Sequence, residues 1–196
     1  LAAEALWLGR ALVHWLPDRP EALGLLAMML VHDARRDARF VAGDLVRLAD
    51  QDRARWDHDQ IDRGREVLDR ALALGGRGPY VVQAAIAVLH VEEPTDRAQI
   101  ALLYGELGRL TGSPVVELNR AVAVAEVEGP AAGLALVDRL ELDDYRYLHT
   151  ARAELLRRLD RVDEAVVAYG RALSLTDDDA ERRWLDGRRS ELIRPR

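Results

Sequence analysis

The sequence predicts an all-α fold, a helical-repeat solenoid of about ten helices in about five antiparallel pairs, with an irregular loop or short hairpin near residues 37–52. Three observations predict it. A stripe of small or apolar residues in a 0, +4, +7 pattern recurs along the chain: Ala27, Val31, Ala34; Gly64, Leu68, Ala71; Ile100, Tyr104, Leu107; Gly133, Val137, Leu140; Ala165, Tyr169, Ala172. Residues four and seven apart share one face of a helix, and a small first member lets a neighbouring helix come close. By subtraction the stripes start 37, 36, 33 and 32 residues apart, the spacing of stacked helix pairs. Turn residues fall between the stripes, and no alternating strand pattern competes except Phe40 to Leu48 around Gly43.

In chain order, Ala2, Ala5, Leu6, Gly9, Leu12, Val13 and Leu16 form the apolar stripe of a first helix, which Pro17 and Pro20 end. A second helix covers about 20–36. After the irregular stretch, helices are expected at 53–74, 79–91, 96–111, 114–128, 130–141, 144–159, 162–175 and 178–193. Ser113 before Pro114 reads as a cap followed by proline at the first helical position, and Gly129-Pro130 and Asp177 mark later boundaries. Each stripe-bearing helix is expected to be the second of its pair. The last helix sets Glu181, Arg182, Arg183 and Arg188 around Trp184 and Leu185, the polar-faced cap that the end of a repeat stack requires. The chain reads as a single domain over 1–196, and Leu1, with no cap before it, suggests a piece of a longer protein.

The segment RVDEAVVAYGRALSL at 161–175 resembles the second helix of a tetratricopeptide repeat, with its Asp-Glu-Ala start, an aromatic residue four positions on, and Ala-Leu. A longer resemblance rests on HDARRDAR at 32–39, LADQDRARWD at 48–57, GPYVVQAAIAVLH at 78–90, AQIALLYGEL at 98–107 and SPVVELNRAVAVAEVEGPAAGLAL at 113–136. Together they resemble the C-terminal tetratricopeptide-like extension of bacterial extracytoplasmic-function RNA polymerase sigma factors. The chain departs from that family at Arg97, where tryptophan is usual, and in a shorter loop at 92–95. The resemblance implies a regulatory, protein-interaction module whose promoter-reading regions lie upstream of residue 1. Its implied partners are the parent's own sigma regions and the polymerase core. A small YCII-like protein is a further candidate partner by association.

Composition excludes several chemistries. All 28 basic residues are arginine, so there is no P-loop lysine, Schiff base or lysine general base. Zero cysteines remove disulfides, thiolate zinc sites and cysteine nucleophiles, which fits a reducing compartment. Ser113, Ser174 and Ser190 lie in no nucleophile turn, and the acids Asp143-Asp144 and Asp177-Asp178-Asp179 read as helix caps. A net charge of -6 argues against direct nucleic-acid binding. With no spanning helix and no export signal, the sequence predicts a soluble cytoplasmic protein that is not an enzyme and needs no cofactor.

The candidate binding residues concentrate around the irregular stretch. His32, Asp33, Arg35 and Arg36 precede it, and Asp50, Gln51, Asp52, Arg53 and Trp56 follow it. Functionally, the arginines could fork onto the carboxylate of a bound peptide, or the cluster could be a pocket for an anionic metabolite. Structurally, the same residues could form an internal ion-pair network tying the loop to its helices. Asn119 and Arg120 occupy a first helix, where an amide can bracket a peptide backbone or bond within the stack. Tyr80, Gln83 and His90 lie on the first helix of the preceding pair. His58 and Asp62, four apart, could share a metal, but two ligands do not make a site. Trp7, Trp15, Trp56 and Trp184 read as filling core and helix interfaces.

Overall fold

The computed structural model describes residues 2–41 and 43–193 and contains ten α-helices: α1 (Ala2–Trp15), α2 (Pro20–Asp33), α3 (His58–Ala73), α4 (Pro79–Val91), α5 (Arg97–Thr111), α6 (Pro114–Val127), α7 (Pro130–Val137), α8 (Arg146–Arg158), α9 (Val162–Ser174) and α10 (Asp179–Ile193). A two-residue pair, β1 (Phe40–Val41) and β2 (Asp44–Leu45), forms the expected hairpin. Gly43 turns between the strands at φ +89°, a conformation open to glycine without strain. Proline opens α2, α4, α6 and α7 at the first helical position, where its missing N–H would have had no partner. No helix among the described residues is long and apolar enough to cross a membrane.

The expected ends differ in three places. α2 stops at Asp33, and Arg36–Ala38 winds as a separate 3₁₀ turn. α3 begins at His58 because Asp57 caps it, accepting from the Gln60 N–H at 2.9 Å, while Arg53–Arg55 forms its own 3₁₀ turn. α7 ends at Val137, four residues early. Asp143 and Asp144 are not caps either: Tyr145 holds that position on α8, and the Asp144 carboxylate takes Arg171 at 3.2 Å.

The chain divides into two compact units, the first running to Phe40 and resuming over Val46–Thr111, the second made of Val41–Leu45 and the residues from Gly112 onward. In the first unit α2 is central. It runs antiparallel to α3, since Gly64 faces Val31 and Ala27 while Gly76, just past α3, faces Pro20. Its start lies beside the start of α4, where the Tyr80 N–H donates to Glu21 Oε2 at 3.0 Å. α2 therefore pairs with α3 across the irregular stretch, and is not simply the second helix of a pair with α1. The core gathers Leu23, Ala27, Val31, Ile61, Leu68, Val81, Ala84 and Val88, with Trp56 and Ala38 brought in from the loop.

In the second unit Gly133 of α7 presses on Ala121 and Ala125 of α6, and α8, α9 and α10 bury Leu148, Leu156, Ala165, Tyr169 and Leu185 together. Glu154 of α8 joins three elements: it accepts from Arg157 on its own helix, from the Tyr169 hydroxyl of α9, and from Arg188 of α10 at 3.0 and 3.1 Å. Asp44 accepts from Arg183 of α10 at 3.0 Å.

Candidate functional site

The polar groups of the irregular stretch are mostly spent on holding it in place. Asp33 ends α2, and its Oδ2 accepts from Gln60 Nε2 of α3 at 3.0 Å; the same amide donates to the Leu30 carbonyl at 3.1 Å. Arg36 is exposed and lies 3.5 Å from the other Asp33 oxygen. Asp50 accepts from Arg47 at 2.8 Å, and Asp52 takes the Ala54 N–H at 3.0 Å. Gln51 donates to the Val46 carbonyl at 3.2 Å, leaving its Oε1 buried without a partner. Arg53 reaches α4, donating to the Val91 carbonyl at 3.2 Å, while its guanidinium lies 4.8 Å over the ring of buried Trp56.

Arg35 is the exception. It follows the end of α2 and is only 5% exposed. Its Nη2 lies 2.9 Å from His32 Nδ1, and its Nε is buried with no partner among the described residues. Because a guanidinium only donates, His32 Nδ1 must be the acceptor, so the His32 ring is neutral with its proton on Nε2. Burial holds His32 down to about 4, with Arg35, Arg39 and His90 adding repulsion. His90, at the end of α4, is lowered by burial and then by Arg35. Arg35 itself is lowered to about 10 by burial and by Arg39. Of the predicted residues the fold brings His32 and Arg35 into contact, with His90 close enough to act on them through charge, as does Arg39, which sequence reasoning missed. Its signal was the four-residue spacing from Arg35.

The other candidates stand apart from this group. Tyr80 is half exposed near the start of α4, and Gln83 donates back to the Pro79 carbonyl at 3.2 Å. Asn119 is exposed on α6 of the second unit, and its amide makes no hydrogen bond among the described residues. Arg120 pairs with Glu117 at 3.0 Å. His58 turns to the Arg53 carbonyl at 3.2 Å, and Asp62 takes Arg65. Among the described residues, no three His, Asp or Glu side chains gather as a metal site would.

The tryptophans need one correction. Trp56 is buried and Trp184 half-buried, but Trp7 is 66% and Trp15 79% exposed. Leu6, Gly9 and part of Val13 pack toward α2, whereas Trp7, Leu8, Leu12 and Trp15 leave a broad apolar face open on α1, continued by Leu16 just past its end. The sequence carried the sign: AAEALWLGRALVHW has apolar residues on all sides, more than one packed face can use.

Residues 1–72 match a family described as a family of unknown function (DUF6596). The chain is 44% identical over 192 residues to an uncharacterized protein of Rhizobium meliloti (strain 1021), a match covering 94% of this chain and 45% of that relative. The chain therefore spans less than half the length of the relative. No solved structure matches it.

Proposed function

We propose that this chain is the C-terminal regulatory and protein-interaction module of an extracytoplasmic-function RNA polymerase sigma factor, acting in the cytoplasm on transcription initiation by binding rather than by catalysis. The observation that carries the binding role is the open face of α1. Two tryptophans and two leucines on α1, with Leu16 just past its end, form an apolar surface of the kind that marks a protein-protein interface, with aromatic side chains of the type enriched in binding hot spots. The Asn119 amide on α6, exposed and without a hydrogen bond among the described residues, offers a second contact of the kind that reads a peptide backbone. The sigma-factor assignment rests on the motif runs from 32 to 136. A relative more than twice as long is in keeping with a module of a larger protein.

The module would contact the parent's sigma regions or the polymerase core, with a small YCII-like protein as a further partner. Such contacts shift transcription only if they differ between two arrangements of the sigma regions, because a bound surface biases an equilibrium by its differential affinity alone. The test is promoter-dependent transcription by the parent sigma factor with this chain intact, deleted, or carrying Trp7→Ala and Trp15→Ala together. Deletion is expected to change transcript yield severalfold, and the double variant to reproduce much of that change while keeping wild-type helicity. Equal yields from all three would remove the reading.

A further inference from the structure

We propose that Arg35, His32, His90 and Arg39 form a binding site for a small oxyanion, the carboxylate or phosphate group of an anionic metabolite, which supplies the counter-charge that the protein leaves out at this point. The inference does not depend on the sigma-factor reading.

A guanidinium taken out of water is costly unless an anion or a full set of acceptors meets it, and buried arginines are accordingly found paired. Arg35 is 5% exposed, yet no carboxylate lies within ion-pair distance of it among the described residues. The acids next to it are committed elsewhere: Asp33 to Gln60 and Arg36, Asp37 to Arg36, and Asp57, whose N–H meets the Ala34 carbonyl, to the cap of α3. What surrounds Arg35 instead does not balance it: His32 meets it as a neutral acceptor at 2.9 Å, His90 on α4 is within reach of its charge and is held neutral, and Arg39 acts on it with a like charge.

Each of these groups has a donor to give. The Nε–H of Arg35 is buried and unused, His32 must carry its proton on Nε2, Arg39 is exposed, and His90 is half-buried at the helix end. Two guanidinium groups and two imidazoles with no acid among them suit a compact oxyanion, because guanidinium forks match the paired oxygens of carboxylate and phosphate. Both His32 and His90 are held below their ordinary values by burial and by the surrounding arginines. An anion here would relieve that repulsion and raise both. Since Arg35 Nη2 occupies His32 Nδ1, His90 is the ring free to take up the proton, so binding should tighten as pH falls below neutrality.

The experiment uses the whole chain and two probes, inorganic phosphate and malonate, with chloride at equal ionic strength as control. Thermal shift and calorimetry in buffers of different ionisation enthalpy would report affinity and proton uptake. Phosphate or malonate should raise the melting temperature above the chloride control, and the tighter of the two identifies the oxyanion class. Arg39→Gln, an exposed change that spares folding, should weaken binding at least fivefold. His90→Gln should abolish the proton uptake. Arg36→Gln, a neighbouring exposed arginine outside the cluster, should bind as wild type does. The proposal falls if neither probe exceeds chloride, or if Arg39→Gln and His90→Gln bind as tightly and with the same proton uptake as the unaltered chain.

Discussion

Glu154 shows how much one side chain can organise. Burial alone would raise its carboxyl, but the bonds from Arg188, Tyr169 and Arg157 overcome that and hold it at about 2, against an ordinary 4.5. A carboxyl lowered on folding stabilises fully above its unfolded value, so this contribution is complete above pH 4.5 and is lost as pH falls toward 2. Tyr169→Phe removes one donor from a fully buried ring and should cost about 1–2 kcal/mol in a urea titration at pH 7. Glu154→Gln should cost about 2–3 kcal/mol and flatten the loss of stability below pH 4.5. His32 works on a different limb. Its folded value near 4 lies below its ordinary 6.5, so the unfolded chain binds its proton first and stability falls as pH drops from 6.5 to 4. His32→Gln keeps an acceptor for Arg35 and should flatten that limb, worth about 1–2 kcal/mol after allowance for solvent screening. Parallel slopes for His32→Gln and wild type between pH 4 and 6.5 would refute the assignment.

Helix contacts decide the cost of a methyl group. A Cβ on Gly24 would lie 2.6 Å from Val81 N and 2.8 Å from the Tyr80 carbonyl carbon, so α2 and α4 would have to separate along their backbones. Gly24→Ala should therefore destabilise by about 2–3 kcal/mol despite its better helix propensity. Gly170 on α9 meets nothing within 4 Å, and Gly170→Ala should stabilise by about 0.5–1 kcal/mol. Thermal melts of the two variants should move in opposite directions. The recurring stripes made most of these elements readable beforehand: Ala27, Gly64, Gly133 and Ala165 are all buried first members, and each sits where a neighbouring helix comes close or the core is dense. The α2–α4 approach was not readable, because Gly24 meets Val81 across 57 residues of chain and no local period encodes that. Helix ends were missed where a cap or a 3₁₀ turn overrode the apolar pattern, as at Asp57.

At the scale of the molecule, what matters is how charge is distributed. Sequence proximity suggested that Asp33, Asp50 and Asp52 would neutralise the arginines around them; in the fold Asp33 meets Gln60 and Arg36, Asp50 meets Arg47 and Asp52 takes a backbone N–H, while Arg35 has no acid within ion-pair distance of it among the described residues. Elsewhere the arginines are tied to acids three residues away, as in Arg65–Asp62, Arg120–Glu117, Arg161–Glu164 and Arg189–Asp186. With a net charge of -6, such a surface offers few unshared cations to a polyanion, while a single buried cluster can still take a small one. Affinity for duplex DNA comes mainly from phosphates neutralised by basic side chains, and each paired arginine must first give up its acid. A 20-base-pair duplex should therefore show no mobility shift with this chain at ~10 µM protein and ~150 mM salt, conditions under which a basic non-specific binder begins to associate. Millimolar phosphate should still raise the melting temperature in the same buffer. Retention of the duplex with a steep dependence on salt would mean that the ion pairs open readily, and would return nucleic acid to the set of partners this surface can hold.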